Sequence, residues 1–264
     1  MGVWDEEHAL EWRRSFGSPA RPTKAECKVY WRELSKLKKD AKTLLLGSTP
    51  EIRDMAFEFG MRLTVIDFKV KNYEELQGLM VHSPDNETYV NKNWIDMEFQ
   101  SEFDVVIGDN VLSVLTTPKA KKLVKRIHAA LKPEGKWITR VMLYDLGGDF
   151  ISPDTLNGRI ALCEKKQEIY ENLYVPFLAY YKNEVGGVIG SEAYEGIKRD
   201  VGKGLFPPAC IEVFNSLRFY KNESYLVDKS GFERNMKTMY DIERTIDNTE
   251  PFSKNWTIYV LKKK

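Results

Sequence analysis

Between residues 43 and 143 short apolar runs alternate with segments in which apolar residues recur every three or four positions. The runs predict strands at 44–46, 63–66, near 88–91, at 103–107 (FDVVI) and at 136–143 (KWITRVML). The periodic segments predict helices at 50–60, 70–80 and 117–131, with KPEG (132–135) as a turn. Helix 50–60 has Pro50 in its first turn, Glu51 and Asp54 near its positive end and Gly60 past its last turn. Strands alternating with helices of this length predict an α/β fold, a doubly wound and mostly parallel sheet covered on both faces. The nearly all-apolar 103–107 reads as its central strand.

On either side of this core the pattern changes. Residues 3–16 and 24–39 read as amphipathic helices separated by the breaker GSPARP (17–22), so that 1–42 forms an N-terminal helical lid before the core at 43–143. From 144 to 216 turn-rich stretches bracket helical ones, with a helix at 159–183 interrupted at Pro176, which predicts an inserted helical cap. Its aromatics, among them Tyr170, Tyr174, Phe177, Tyr180, Tyr181, Tyr194 and Phe206, have packing of the cap as their main expected role, and lining a substrate cavity as the alternative. Residues 217–264 complete the sheet: a strand in 217–227, a helix around 231–246 and a strand at 255–264, the late strands adding an antiparallel edge.

Sheets of this kind bind ligands beyond the carboxyl ends of their strands, where strand order reverses. That rule singles out Gly47 to Thr49, Asp67 and Phe68, Asn93 to Asp96, and Gly108 to Asn110. The first predicted strand breaks at Gly47, and the second ends in Asp67 twenty residues later, the spacing at which a carboxylate bonds ribose hydroxyls. LGSTPEI has one glycine where a dinucleotide fingerprint has three, leaving little room for a pyrophosphate.

Charge and cysteine content narrow the partners. Forty Lys+Arg against 39 Asp+Glu give a net charge of +1, without a large cationic face, so nucleic acid is a disfavoured partner. The basic stripe PKAKKLVKRIH (118–128) reads as a solvated helix face. Cys27, Cys163 and Cys210 are odd in number and form no CxxC pair, so neither a disulfide framework nor a zinc site is expected. No apolar stretch approaches the ~18 residues of a membrane span and the N-terminus is charged, which predicts a soluble, cytoplasmic protein.

The order of the pieces resembles the class I S-adenosylmethionine-dependent methyltransferases over residues 43–143 and the terminal strands. LLLGSTPEI is similar to that family's first motif in the form LG-x-TPE, VIDF to its acidic second motif and NKNWIDMEF to its adenine-binding segment. FDVVIGDNVLSVL resembles the fourth-strand motif and LKPEGKWITRVML the segment around strand five. The resemblance implies a Rossmann-like, seven-stranded sheet with a reversed last strand, S-adenosyl-L-methionine as cofactor and in-line methyl transfer to a small-molecule acceptor.

On the matching positions it implies that Gly47, Ser48 and Thr49 lie against the methionine end of the cofactor. Asp67 would accept from both ribose hydroxyls and Phe68 would pack on the adenine. Asn93 would accept from the adenine's exocyclic amine, with Asp96 as the alternative for that contact, while Trp94 would offer its backbone N–H or its ring. Asp109 and Asn110 would face the transferring methyl, contacting the cofactor's ammonium or orienting a substrate nucleophile, with Asp109 the first candidate for a general base, His8 a second, and His82 and His128 structural or solvated. GDNV (108–111) stands where nucleic-acid amino-methylating enzymes carry an (N/D)PPY-type tetrapeptide, which favours a small acceptor. A methyltransferase-like binding or scaffold module, an enzyme acting on RNA or protein, and a nicotinamide oxidoreductase are the competing readings. No metal is implied, and oligomeric state is not legible in the sequence.

Overall fold

The computed structural model describes residues 21–83, 87–144, 151–184, 186–221, 223–247 and 256–264. The helix expected at 3–16 lies outside them. The described chain opens with helix α1 (Lys24–Leu34), whose Thr23 cap and Glu26 form a reciprocal capping box. Strands β1 (Lys42–Leu46), β2 (Arg62–Asp67), β3 (Glu87–Asn91), β4 (Phe103–Asp109) and β5 (Leu131–Tyr144) follow. They are connected by α2 (Pro50–Glu58) after β1, α3 (Val70–Gln77) after β2, a 3₁₀ turn (Trp94–Asp96) after β3 and α4 (Thr117–Ala130) after β4.

After β5 come α5 (Pro153–Ala161), α6 (Lys166–Tyr180), β6 (Gly187–Ile189), α7 (Gly190–Gly202), α8 (Ala209–Val213), β7 (Glu223–Tyr225) and β8 (Val227–Asp228). Helix α9 (Lys229–Met236) then leads to β9 (Tyr240–Asp247) and β10 (Trp256–Lys263).

The main sheet has the order β3-β2-β1-β4-β5-β10-β9, with the short β8 beside the end of β5. β1 to β5 are parallel neighbours, and β10 runs antiparallel to both β5 and β9. Order reverses between β1 and β4, where Leu46 lies between Ile66 on one side and Gly108 on the other. A crevice at the carboxyl ends of these strands is therefore built into the topology.

Each sheet face has its own core. α1, α2 and α3 cover one face through Tyr30, Leu34, Ile52 and Met55 against Leu45, Val65, Ile107 and Ile138, with Tyr73 at the margin. α4 and α9 cover the other through Leu123, Ile127, Phe232 and Met236 against Leu44, Val106, Trp137 and Tyr259. A third core lies inside the helical segment after β5 and is joined to the sheet through Met142 and Trp256.

Several boundaries differ from the sequence reading. The helix expected at 231–246 stops at Met236, and 240–247 is instead edge strand β9, whose outward positions carry Glu243 and Arg244. Charged residues on an edge strand blunt its free hydrogen-bonding side and erase the apolar alternation by which a strand is recognised. The segment 217–227 adds no strand to the main path: it forms a 3₁₀ turn (Asn215–Phe219), then β7 paired with β6, then β8.

α6 runs through Pro176 without a break, because Val175, Pro176, Phe177 and Leu178 are all buried and packing on every side offsets the lost backbone bond. KPEG is taken into β5 as an irregularity, the register jumping from Phe103↔Leu131 to Val105↔Lys136, with Glu134 at φ 66°. α1 ends at Leu34 rather than 39, and α3 at Gln77 rather than 80.

Candidate functional site

Gly47 leaves β1 with φ +90°, a left-handed conformation that costs side-chain-bearing residues strain. Its N–H donates to the Ile66 carbonyl at 2.9 Å. A Cβ built on it would stand 3.4 Å from Trp94 Cζ2. Gly47→Ala is accordingly expected to destabilise the protein by about 1–3 kcal/mol through backbone strain, measured by thermal denaturation.

Ser48 and Thr49 are buried, and Pro50 starts α2 immediately after them. The Ser48 hydroxyl donates to Asp67 Oδ2 at 3.1 Å, which joins the ends of β1 and β2. The Lys69 N–H donates to Asp67 Oδ1 at 3.2 Å, and the Tyr89 hydroxyl to the Asp67 carbonyl at 3.0 Å. Burial raises the Asp67 carboxyl above its ordinary value, opposed by the bonds from Lys69 and Ser48. The Phe68 N–H and the Asn72 side chain also reach the Asp67 carboxylate, so four donors of the chain hold it in place at the end of β2.

Beyond β3 the two residues expected at the adenine behave differently from each other. Trp94 is buried in the core, and its indole N–H is spent on the Ile66 carbonyl at 2.8 Å, so only its ring edge and backbone border the Gly47 turn. Asn93 caps the 3₁₀ turn, its side-chain oxygen accepting from the Ile95 N–H at 3.2 Å. Phe68 is half-buried under the Lys69 ammonium, 5.3 Å from its ring. Asp96 is turned away to the surface, where it pairs with Lys122 at 2.9 Å.

At the end of β4, Asp109 is held by a cation that the sequence reading did not single out. Arg140, its register partner on β5, donates through Nε to Asp109 Oδ1 at 2.7 Å and through Nη2 to Oδ2 at 2.9 Å. Its Nη1 donates to Glu26 Oε2 at 3.0 Å and to the Arg21 carbonyl at 3.4 Å. The Tyr30 hydroxyl accepts from the Arg140 backbone N–H at 3.0 Å and donates to Asp109 Oδ1 at 3.3 Å. The signal was present in ITRVML: a lone arginine in an otherwise apolar strand has to be paired if it is buried. Its partners Glu26 and Tyr30, on a helix more than a hundred residues earlier, had no such mark.

Burial pushes Asp109 up to about 6, against the pull of Arg140 and with the charges of Glu26 and Glu51 adding to the rise. The folded chain thus holds this proton more tightly than the unfolded chain. The contribution is fully present below the ordinary carboxylate value and is lost as pH rises through about 6. Thermal melts across that window are expected to show Asp109→Asn gaining stability relative to the parent as pH rises, then levelling off above about 6.

Near Asp109, Glu26 Oε1, Glu51 Oε2 and Asn110 Oδ1 are buried without a hydrogen-bond partner among the described residues, and so is Asn72 Oδ1, on the residue whose side chain reaches Asp67. Glu51 is on the first turn of α2 and pairs with Arg21 through its other oxygen. Asn110 leaves β4 with φ 56°. Buried acceptors of this kind are a place for donors supplied from outside the chain.

Of the other candidates, Tyr174, Phe177, Tyr194 and Phe206 are buried within the cap's own core, while Tyr170, Tyr180 and Tyr181 are half-buried at its margin. His82 lies by Glu58 and stacks on Phe57, His128 lies edge-on to Tyr240, and His8 is outside the described residues. Among the described residues no group of three or more His, Cys, Asp or Glu side chains is placed to hold a metal ion, and no helix is long and apolar enough to cross a membrane.

The chain matches no protein-family model and no curated protein. Solved structures share its fold. Magnesium protoporphyrin IX methyltransferase from Synechocystis PCC 6803, with S-adenosylhomocysteine bound, has TM-score 0.55 and 12% identity over 97% of this chain and 94% of that one. The 1,6-didemethyltoxoflavin-N1-methyltransferase of Burkholderia thailandensis, with 1,6-didemethyltoxoflavin and S-adenosylhomocysteine bound, has TM-score 0.51 and 12% identity over 89% and 78%. A Rhodobacter sphaeroides protein named as a candidate zinc-dependent alcohol dehydrogenase has TM-score 0.57 and 16% identity over the whole of both chains. At these identities the likeness is one of fold: the chain has the Rossmann-like architecture found in S-adenosylmethionine-dependent methyltransferases.

Proposed function

We propose that this chain binds S-adenosyl-L-methionine in the crevice between β1 and β4 and transfers its methyl group to a small-molecule acceptor held beneath the helical cap. The observation that carries the reading is the pairing of a buried Asp67, fixed at the end of β2, with the positive-φ Gly47 on the adjacent strand, at the switch point of the sheet. The two methyltransferases of the same fold, each with S-adenosylhomocysteine bound, support it. The orphaned acceptors Glu26 Oε1, Glu51 Oε2 and Asn110 Oδ1 fit a positively charged cofactor better than an anionic dinucleotide.

When bound, the cofactor supplies an activated methyl on a sulfonium, so the chain's task is binding, alignment and exclusion of water. Asp67 accepts the ribose hydroxyls, and Gly47 lets the backbone pass close to the ligand. Phe68 offers a half-buried face to the adenine, while Asn93 and the Trp94 backbone shape the loop beside it. Asp109 acts here as a positioning residue. With both oxygens on Arg140 it fixes the end of β4 and, through Glu26 and Tyr30, the start of α1, so that Asn110 is presented at a defined place. Taking up a proton during turnover would disrupt that pair, which argues against a role for Asp109 as general base.

Calorimetric titration with S-adenosylmethionine, S-adenosylhomocysteine and NAD(H) tests the proposal. Micromolar binding of the first two alone is the expected result. Binding of NAD(H) alone would replace it with an oxidoreductase, and silence from all three with a non-catalytic module.

A further inference from the structure

We propose that the carboxylates of Glu26 on α1 and Glu51 on α2 form the receptor for the cofactor's amino-acid ammonium, so that α1 is part of the cofactor site and not only a cover. The inference rests on the cofactor reading above; it assigns Glu26, which lies outside every motif quoted, and gives a role to Glu51, the last residue of the GSTPE turn.

Glu26 is 1% exposed, one of the most deeply buried carboxylates of the described chain. Its Oε2 accepts from the Thr23 N–H at 2.6 Å and from Arg140 at 3.0 Å, yet its Oε1 has no donor among the described residues. A buried carboxylate oxygen left bare costs several times what a paired one does, so a fold that keeps it has a use for it. Glu51 repeats the arrangement on the neighbouring helix, one oxygen on Arg21 and the other bare. Asn110 Oδ1, one residue beyond β4, is the third bare acceptor.

All three are acceptors, and they come from the elements that flank the β1–β4 crevice. Glu51 follows the Gly47–Thr49 turn by two residues, Asn110 follows Asp109, and Arg140 ties Glu26 to Asp109.

The charge balance points the same way. Among the described residues of the cluster, Glu26, Glu51 and Asp109 stand with Arg21 and Arg140, three carboxylates to two guanidiniums, and the negative field is felt at Cys27, whose thiol is pushed up to about 12 by burial first and then by Glu51, Asp109 and Glu26. A primary ammonium answers both deficits, bringing one positive charge and three N–H donors. A metal ion would also bring charge, but no three carboxylate, His or Cys groups are placed to hold one among the described residues.

The test compares two ligands on the full chain: S-adenosylhomocysteine, and 5′-methylthioadenosine, which keeps the nucleoside and thioether but lacks the amino-acid end. Glu26→Gln and Glu51→Gln are each expected to weaken S-adenosylhomocysteine at least tenfold and to leave methylthioadenosine within twofold. Retained affinity for S-adenosylhomocysteine in both variants overturns the inference, as does an equal loss for the two ligands. Parent protein that binds both ligands equally well overturns it while leaving the cofactor reading intact. Parent protein that binds neither overturns both. Should Glu26→Gln melt at assay temperature, Glu51→Gln decides, since its pair with Arg21 is at the rim and its loss leaves the Arg140 cluster whole.

Discussion

Arg140→Met is expected to destabilise the fold by about 3–5 kcal/mol, the range measured when one partner of a buried ion pair is removed. At this chain length that is a fall in melting temperature of about 6–20 °C. The size follows from what remains behind. The guanidinium and both carboxylates it holds are almost fully buried, with side-chain exposures of 0% for Arg140, 1% for Glu26 and 3% for Asp109. Removing the cation leaves two negative charges in a low-dielectric site, with the Tyr30 hydroxyl still donating to Asp109 and the Thr23 N–H to Glu26 but no positive charge to balance them, and the Trp256 ring, 5.0 Å from the guanidinium carbon, loses the cation it faces.

Methionine fills much of the vacated volume, so the loss reports electrostatics more than a cavity. The control is Arg140→Met with Asp109→Asn: neutralising one orphan is expected to recover part of the loss, giving clear non-additivity between the two sites. A fall of under 1 kcal/mol, or strict additivity, would mean that α1 is not pinned to the sheet by this network.

That network marks where the sequence was readable and where it was not. The β-α alternation of residues 43–143 was legible because buried parallel strands are written as continuous apolar runs, as in Leu44–Leu46 and Val105–Ile107, and because the helices carry Pro50, Gly60 and Thr117–Pro118 at their ends. The places of Gly47 and Asp67 at the ends of β1 and β2 were legible because topology sets their spacing. The edge strand at 240–247 was hidden by its own solvent-facing charges, and the continuity of α6 by Pro176, whose cost is offset by burial that only the tertiary fold provides. The ion-pair network was illegible for another reason: Glu26, Asp109 and Arg140 belong to three elements, and no local pattern records that they meet. Asp109 was found for its place after β4, but its partner, which sets its chemistry, was not.

Asp67→Ala is expected to weaken S-adenosylhomocysteine binding by about 1.5–3 kcal/mol, roughly 10- to 150-fold, with a smaller loss of stability. The two halves of that statement have separate causes. Affinity falls because a buried carboxylate accepting from two hydroxyls makes charge-assisted bonds in a site where water competes poorly. The stability loss is the smaller effect because burial raises the Asp67 carboxyl, so the native environment disfavours the ionised form and opposes the bonds from Lys69, Ser48, Phe68 and Asn72 that the substitution removes. A buried carboxylate whose ionised form burial disfavours, lying at the switch point of the sheet, fits a group kept for binding. Asp67→Asn should lie between parent and Ala, since it keeps an acceptor and loses the charge. Calorimetry against S-adenosylhomocysteine and melting temperature on the same preparations read the two halves independently. A large fall in melting temperature with unchanged affinity would make Asp67 a strand-end anchor tied to Ser48, and the ribose contact would have to be sought elsewhere in the crevice.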